Sequence, residues 1–83
     1  MKNVFVPGDF YDDGSCDEII ELKYYQDDNN LPSKETVKGD YSLFLERRFL
    51  TLDNFVFEGY IEEVFETEEE AWAWLDKKNG LEG

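Results

Sequence analysis

"YSLFLERRFLTL", residues 41–52, and "FVFEGYIEEVF", residues 55–65, decide the fold class, because both are rich in aromatic and branched residues and only Asp53-Asn54 separates them. Side chains of that kind favour a pleated, half-buried surface, and an Asp-Asn pair favours a tight turn, so the two segments read as an antiparallel hairpin. On that reading Tyr41, Leu43, Leu45 and Phe49, with Phe55, Phe57, Ile61 and Phe65, supply the inner face. Arg47 falls in phase with this apolar set and Glu62-Glu63 interrupts the alternation, which predicts a bulge or a strand end near each.

Working outward toward the N-terminus, "EIIELKYY" (residues 18–25) alternates Ile20, Leu22 and Tyr24 on one side with a mixed set on the other and predicts a further strand. "NVFV" (residues 3–6) predicts a short strand stopped by Pro7-Gly8. Between strand and hairpin, "QDDNNLPSKETVKGD" (residues 26–40) combines Asn, Asp, Pro and Gly and reads as a polar surface loop with one helical turn after Pro32.

On the C-terminal side, Thr67 and Glu70 form a Thr-x-x-Glu capping box ahead of "AWAWLDKK", and "KNG" supplies a cation in the last turn and Gly80 as the stop. A helix of about eleven residues follows from these signals, with Ala71, Leu75 and one of Trp72 or Trp74 facing inward. Leu81 is expected to close over its end. Ile61, Val64 and Phe65 also fit a helical stripe, so a rival reading merges "YIEEVF" into the same helix; the capping box favours keeping them apart. The expectation is an α+β fold: an antiparallel sheet of three or four strands with one C-terminal helix packed on it. At 83 residues, the chain has room for one small domain.

Charge is the dominant compositional feature, with 21 acidic residues against 8 basic ones, no histidine and a formal net charge of −13. A globular chain of this length is roughly 30 Å wide. The same length of duplex DNA carries roughly 18 negative charges, so the protein approaches DNA in charge per unit length. Direct nucleic-acid binding is disfavoured, since neutralising phosphates requires clustered Lys and Arg; an anionic membrane surface is disfavoured for the same reason. An apolar share of 41%, with 17% aromatic residues, separates the chain from a disordered acidic tail. The start "MKNVFVPGDF" lacks the long apolar centre of a secretion signal, and a single cysteine suits a reducing interior, so a cytoplasmic location is expected.

"GDFYDDGSCDE" (residues 8–18) gathers Asp9, Asp12, Asp13, Asp17, Glu18 and the lone Cys16. Set against a twelve-residue calcium loop starting at Asp9, the match places Asp13 and Gly14 well but puts Tyr11 at position 3 and Ile20 where the bidentate glutamate belongs. A looser calcium or magnesium module stays as an alternative, beside a solvated acidic turn. Nucleophilic chemistry at Cys16 lacks a histidine base, and flanking acids oppose its thiolate. A catalytic carboxylate pair needs a desolvated cleft that one covering helix rarely provides. Zinc-binding Cys and His clusters and glycine-rich phosphate loops are absent from the sequence, so no cofactor is expected and the chain reads as non-enzymatic.

Glu68, Glu69 and Glu70 belong in the first turn of the helix, where acids satisfy exposed N–H groups. Trp72 and Trp74 lie two residues apart and cannot share one helical direction, which leaves one as a candidate interface anchor. After that discount the acidic surplus lies in the Asp9–Glu18 turn, at Asp27 and Asp28, and at Glu58, Glu62, Glu63 and Glu66.

A very short chain with a strong acidic excess, aromatic strands and a closing "FETEEEAWAWL" helix resembles the small phage and mobile-element proteins that block host defence, the anti-CRISPR and anti-restriction DNA mimics. The resemblance covers size, charge and element order, and it carries no family residue over to this sequence. What it implies is a stoichiometric inhibitor working in the cytoplasm of a host cell; separately, like charge opposes self-association, so a monomer is expected. The implied partner is a basic nucleic-acid-binding protein or nucleoprotein complex, such as a CRISPR effector or a restriction enzyme. On this expectation Asp12, Asp13, Asp17, Glu18, Asp27, Asp28, Glu58, Glu62 and Glu63 stand where phosphates would lie, and Trp72, Tyr25 or Tyr11 adds an apolar anchor. The competing expectation is an acidic protein of a high-salt cytoplasm whose charge implies no partner.

Overall fold

The computed structural model describes residues 1–80, so the expected closure by Leu81 lies outside the described residues. In chain order the elements are β1 (Lys2–Pro7), β2 (Ile19–Tyr24), α1 (Tyr41–Arg47), β3 (Phe49–Thr51) and α2 (Glu68–Lys78), with a 3-10 turn at Asp28–Asn30. The strands form one antiparallel sheet in the order β1-β2-β3, with Leu22, Lys23 and Tyr24 opposite Thr51, Leu50 and Phe49. This is the expected α+β class with its C-terminal helix, to which α1 is an addition. The chain divides into two compact units, Met1–Asn3 with Glu21–Glu58 (unit 1) and Val4–Ile20 with Gly59–Gly83 (unit 2).

Unit 1 is organised around Val37, Phe44, Leu50 and Val56, with Tyr25, Leu31, Tyr41 and Leu43 packed on them. Phe44 is fully buried and meets Tyr25 edge-on at 5.6 Å and Tyr41 at 5.8 Å. Here the structure corrects the expected strand over 41–52: residues 41–47 are helical. Gly39, at φ +112°, turns the chain into Asp40, whose Oδ1 accepts from the Ser42 and Leu43 N–H groups and caps α1. The helix ends at Arg48 in the left-handed region (φ 69°), with the Arg48 N–H bonded to the Phe44 carbonyl. A strand would have buried Leu43 and Leu45 and exposed Phe44; the helix buries Phe44 and leaves Leu45 exposed.

The hairpin is correspondingly shorter than expected. Asp53-Asn54 does form the turn, with the Thr51 N–H bonded to the Phe55 carbonyl and Asn54 at φ 70°. Pairing then stops after the Leu50↔Val56 bridge, and Phe55 is exposed while Val56 is buried. With residues 41–47 helical, only the three residues of β3 are left to pair with the returning chain. Residues 26–40 do contain a turn after Pro32, where the Thr36 and Val37 N–H groups share the Ser33 carbonyl. They are not purely surface: Val37 is buried, and Lys38 bridges Phe55.

Unit 2 buries Val4, Val6, Cys16, Ala71 and Leu75, and α2 packs on the part of the sheet that this unit contains. Phe5 and Phe65 exchange backbone hydrogen bonds of 2.8 and 2.9 Å, and Phe65 meets Trp74 at 5.7 Å. Helix α2 starts as the capping box requires: the Thr67 hydroxyl accepts from the Glu70 N–H at 3.2 Å and donates to the Glu70 carboxylate at 3.0 Å. Residues 61–65 stay outside the helix, and Gly80, at φ 75°, follows its end.

Candidate functional site

The charge is distributed very unequally between the units. Unit 1 holds eight acidic and six basic residues, a balance of −2, whereas unit 2 holds thirteen acidic residues against Lys77 and Lys78, a balance of −11. Of the residues expected to engage a partner, Asp12, Asp13, Asp17, Glu18, Glu62, Glu63, Trp72 and Tyr11 belong to unit 2, and Asp27, Asp28, Glu58 and Tyr25 belong to unit 1.

The first acidic segment of unit 2 is a closed loop. Its ends meet where the Gly8 N–H donates to the Glu18 carbonyl at 2.8 Å, and a Cβ at Gly8 would stand 3.1 Å from the Glu18 Cβ, so glycine permits the approach. Cys16 is buried at the base, its thiol directed at the carbonyls of Gly8 (3.6 Å) and Glu18 (3.4 Å). Asn79, at the end of α2, brackets the same residue: its Oδ1 accepts from the Cys16 N–H at 3.2 Å and its Nδ2 donates to the Cys16 carbonyl at 2.6 Å. An amide placed this way imitates one rung of a β-ladder and fastens the loop to the helix. Nothing in the sequence around Asn79 distinguished this role from that of a helix-terminating residue.

Inside the loop, Asp13 accepts from both the N–H (2.9 Å) and the hydroxyl (2.6 Å) of Ser15. These bonds stabilise the carboxylate and hold its pKa below the ordinary aspartate range. The Tyr11 hydroxyl donates to both oxygens of Asp17, at 3.0 and 3.1 Å. That hydrogen bond, reinforced by the Asp17 charge, raises the phenol pKa. Asp12, Asp17 and Glu18 are exposed.

The second acidic segment runs from residue 62 into α2. Lys78 pairs with Glu62 at 3.2 Å and lies 5.4 Å from the ring centres of both Phe10 and Trp74. Glu63 is exposed, and Glu68 accepts the Trp72 indole N–H at 3.1 Å. Of the two tryptophans, Trp72 is the exposed one, at 37%, and Trp74 is half-buried. Tyr11 is 58% exposed and Tyr60 78%. Tyr60 was not singled out by sequence, since it lies out of phase with the inner face of the expected strand.

In unit 1 the expected site residues serve the fold. Asp27 caps the 3-10 turn by accepting from the Asn29 N–H, Asp28 pairs with Arg48 at 2.7 Å, and Tyr25 is committed to Phe44. Glu58 is exposed. A shallow hollow of about 260 Å³ is lined by Met1, Lys2, Tyr24, Gln26, Asp27 and Asn30. Among the described residues, no group of three or more His, Cys, Asp or Glu side chains is arranged to hold a metal ion. No described helix is long and apolar enough to cross a membrane.

Compared with protein-family models, with curated proteins and with solved structures, the chain has no significant match in any of the three.

Proposed function

We propose that the protein is a non-enzymatic inhibitor that acts in the cytoplasm, where its acidic unit occupies the basic nucleic-acid-binding groove of another protein. A CRISPR effector or restriction enzyme of a host cell is the target class this reading favours. The observation that carries it is the partition of charge, −11 on one unit against −2 on the other. A solvation device for a high-salt interior would serve both units alike, so the near-neutral unit 1 argues against that alternative. The calcium-module alternative receives no support from the arrangement of acids in the Asp9–Glu18 loop, where Asp13 and Asp17 are turned onto Ser15 and Tyr11.

Charge of this density acts over a Debye length of about 8–10 Å and raises association rates with a cationic groove. Rate and register follow from charge, while residence requires desolvated apolar contact. Tyr11, Tyr60 and Trp72 supply exposed rings in the same unit as the acids.

The test is recovery of the partner from native cell extract on the tagged protein, followed by challenge with short duplex DNA. The expected partner is itself a nucleic-acid-binding protein, is displaced by DNA, and is released steeply as salt rises from about 50 to 200 mM. A partner retained in the presence of excess DNA and indifferent to salt overturns the reading.

A further inference from the structure

Among the described residues of unit 2, an aromatic ring is combined with a carboxylate in the following sets. In the first, the unit's own Lys78 lies against Phe10 and Trp74 while pairing with Glu62. In the other two the carboxylate is bonded to the polar edge of an exposed ring: Asp17 to the Tyr11 hydroxyl and Glu68 to the Trp72 indole N–H. We propose that Tyr11 with Asp17 and Trp72 with Glu68 are two guanidinium receptors, each taking one arginine side chain of the partner. This rests on the reading of unit 2 as the surface that meets a basic groove.

The chemistry follows from the geometry. A hydrogen bond donated to a carboxylate fixes the anion at the ring's edge and sends electron density into the ring, strengthening its attraction for a cation over its face. An ionised carboxylate has about four lone-pair sites, so one or two accepted bonds leave room for a guanidinium fork. Arginine suits this better than lysine, because its planar, weakly hydrated head stacks on the ring while its N–H groups reach the carboxylate. Lys78 demonstrates within the same unit that a ring and a carboxylate together hold a cation. The phenol pKa of Tyr11, raised by Asp17, keeps the hydroxyl protonated and donating throughout the neutral range.

The experiment titrates the full chain with hexa-arginine and hexa-lysine peptides by calorimetry at one low salt concentration. The expected result is a preference for hexa-arginine of roughly tenfold. Tyr11→Leu combined with Trp72→Leu is expected to abolish the preference by weakening hexa-arginine about tenfold and hexa-lysine much less, and Tyr11→Phe to retain part of it because the ring remains. As a readout that needs no substitution, the Trp72 indole N–H resonance of the unaltered protein should shift further on adding the arginine peptide than on adding the lysine peptide at equal saturation. Equal affinities, or a preference that survives in the double variant, overturn the receptor assignment alone. Binding of neither peptide overturns it together with the reading of unit 2.

Discussion

Two units of nearly equal length are built on different principles. Unit 1 has a near balance of charge and a large aromatic core in which Phe44 is surrounded by Tyr25, Tyr41 and aliphatic side chains. Unit 2 carries almost all of the excess charge over a buried core without a fully buried ring, Val4, Val6, Cys16, Ala71 and Leu75, and fastens its main loop with hydrogen bonds. The difference teaches that the net charge of −13 describes neither unit. One unit folds by burial; the other accepts self-repulsion and presents it to the outside.

The contrast is broken most severely from the unit 1 side. Phe44→Ala removes a fully buried ring and should cost about 3–5 kcal/mol. That corresponds to a fall in melting temperature of at least about 12 °C in a chain of this size, read by thermal denaturation at both low and high salt. A loss of under about 1 kcal/mol would mean that Phe44 is not the centre of unit 1.

On the unit 2 side, Asn79→Ala deletes both bonds to the Cys16 backbone and should cost about 1–3 kcal/mol. Hydrogen exchange should show the Cys16 amide losing protection while the Leu50 amide keeps its own. Equal acceleration of both amides would contradict a loop fastened locally.

Electrostatic repulsion sharpens the comparison more gently. Asp12→Asn with Glu63→Gln should raise the melting temperature by about 2–4 °C at low salt, whereas Glu35→Gln with Glu46→Gln in unit 1 should change it by less than about 1 °C. Added salt should erase the difference. The same gain from both pairs would mean that repulsion is shared evenly.

The smallest effect concerns pH. Asp13 has its pKa lowered by Ser15, so the stability it contributes is present above the unfolded aspartate value of about 3.9 and is lost as pH falls through the folded value. Ser15→Ala should return the Asp13 carboxyl toward the ordinary range in a carbon-detected NMR titration. An unmoved titration would show that the Ser15 hydroxyl does not set it.

How much of this was legible in the sequence differed by element for physical reasons. Helix α2 announced itself, because Thr67, Glu70, the terminal lysines and Gly80 all report on local backbone geometry. Strands β1 and β2 were legible from Pro7-Gly8 and from alternation around the buried Leu22. Residues 41–47 were misread because Tyr41, Leu43 and Leu45 alternate like a strand while Tyr41, Phe44 and Arg48 follow a helical period, and tertiary burial of Phe44 chose between them. The local signal was Asp40 after Gly39, a cap hidden at the end of a polar stretch. The acidic surplus was legible as composition, but its assignment to one unit was not, since each unit is assembled from segments that alternate along the chain.

The most direct measurement of the central claim compares two neutralised forms for binding the partner recovered from extract. One carries Asp12→Asn, Glu18→Gln and Glu63→Gln in unit 2; the other carries Asp27→Asn, Asp28→Asn and Glu58→Gln in unit 1. Each removes three charges, so simple loss of net charge is matched. The account predicts that the unit 2 form loses at least about tenfold in affinity and has a shallower salt dependence, while the unit 1 form stays within about twofold. Equal losses from the two forms, or a larger loss from unit 1, would contradict it.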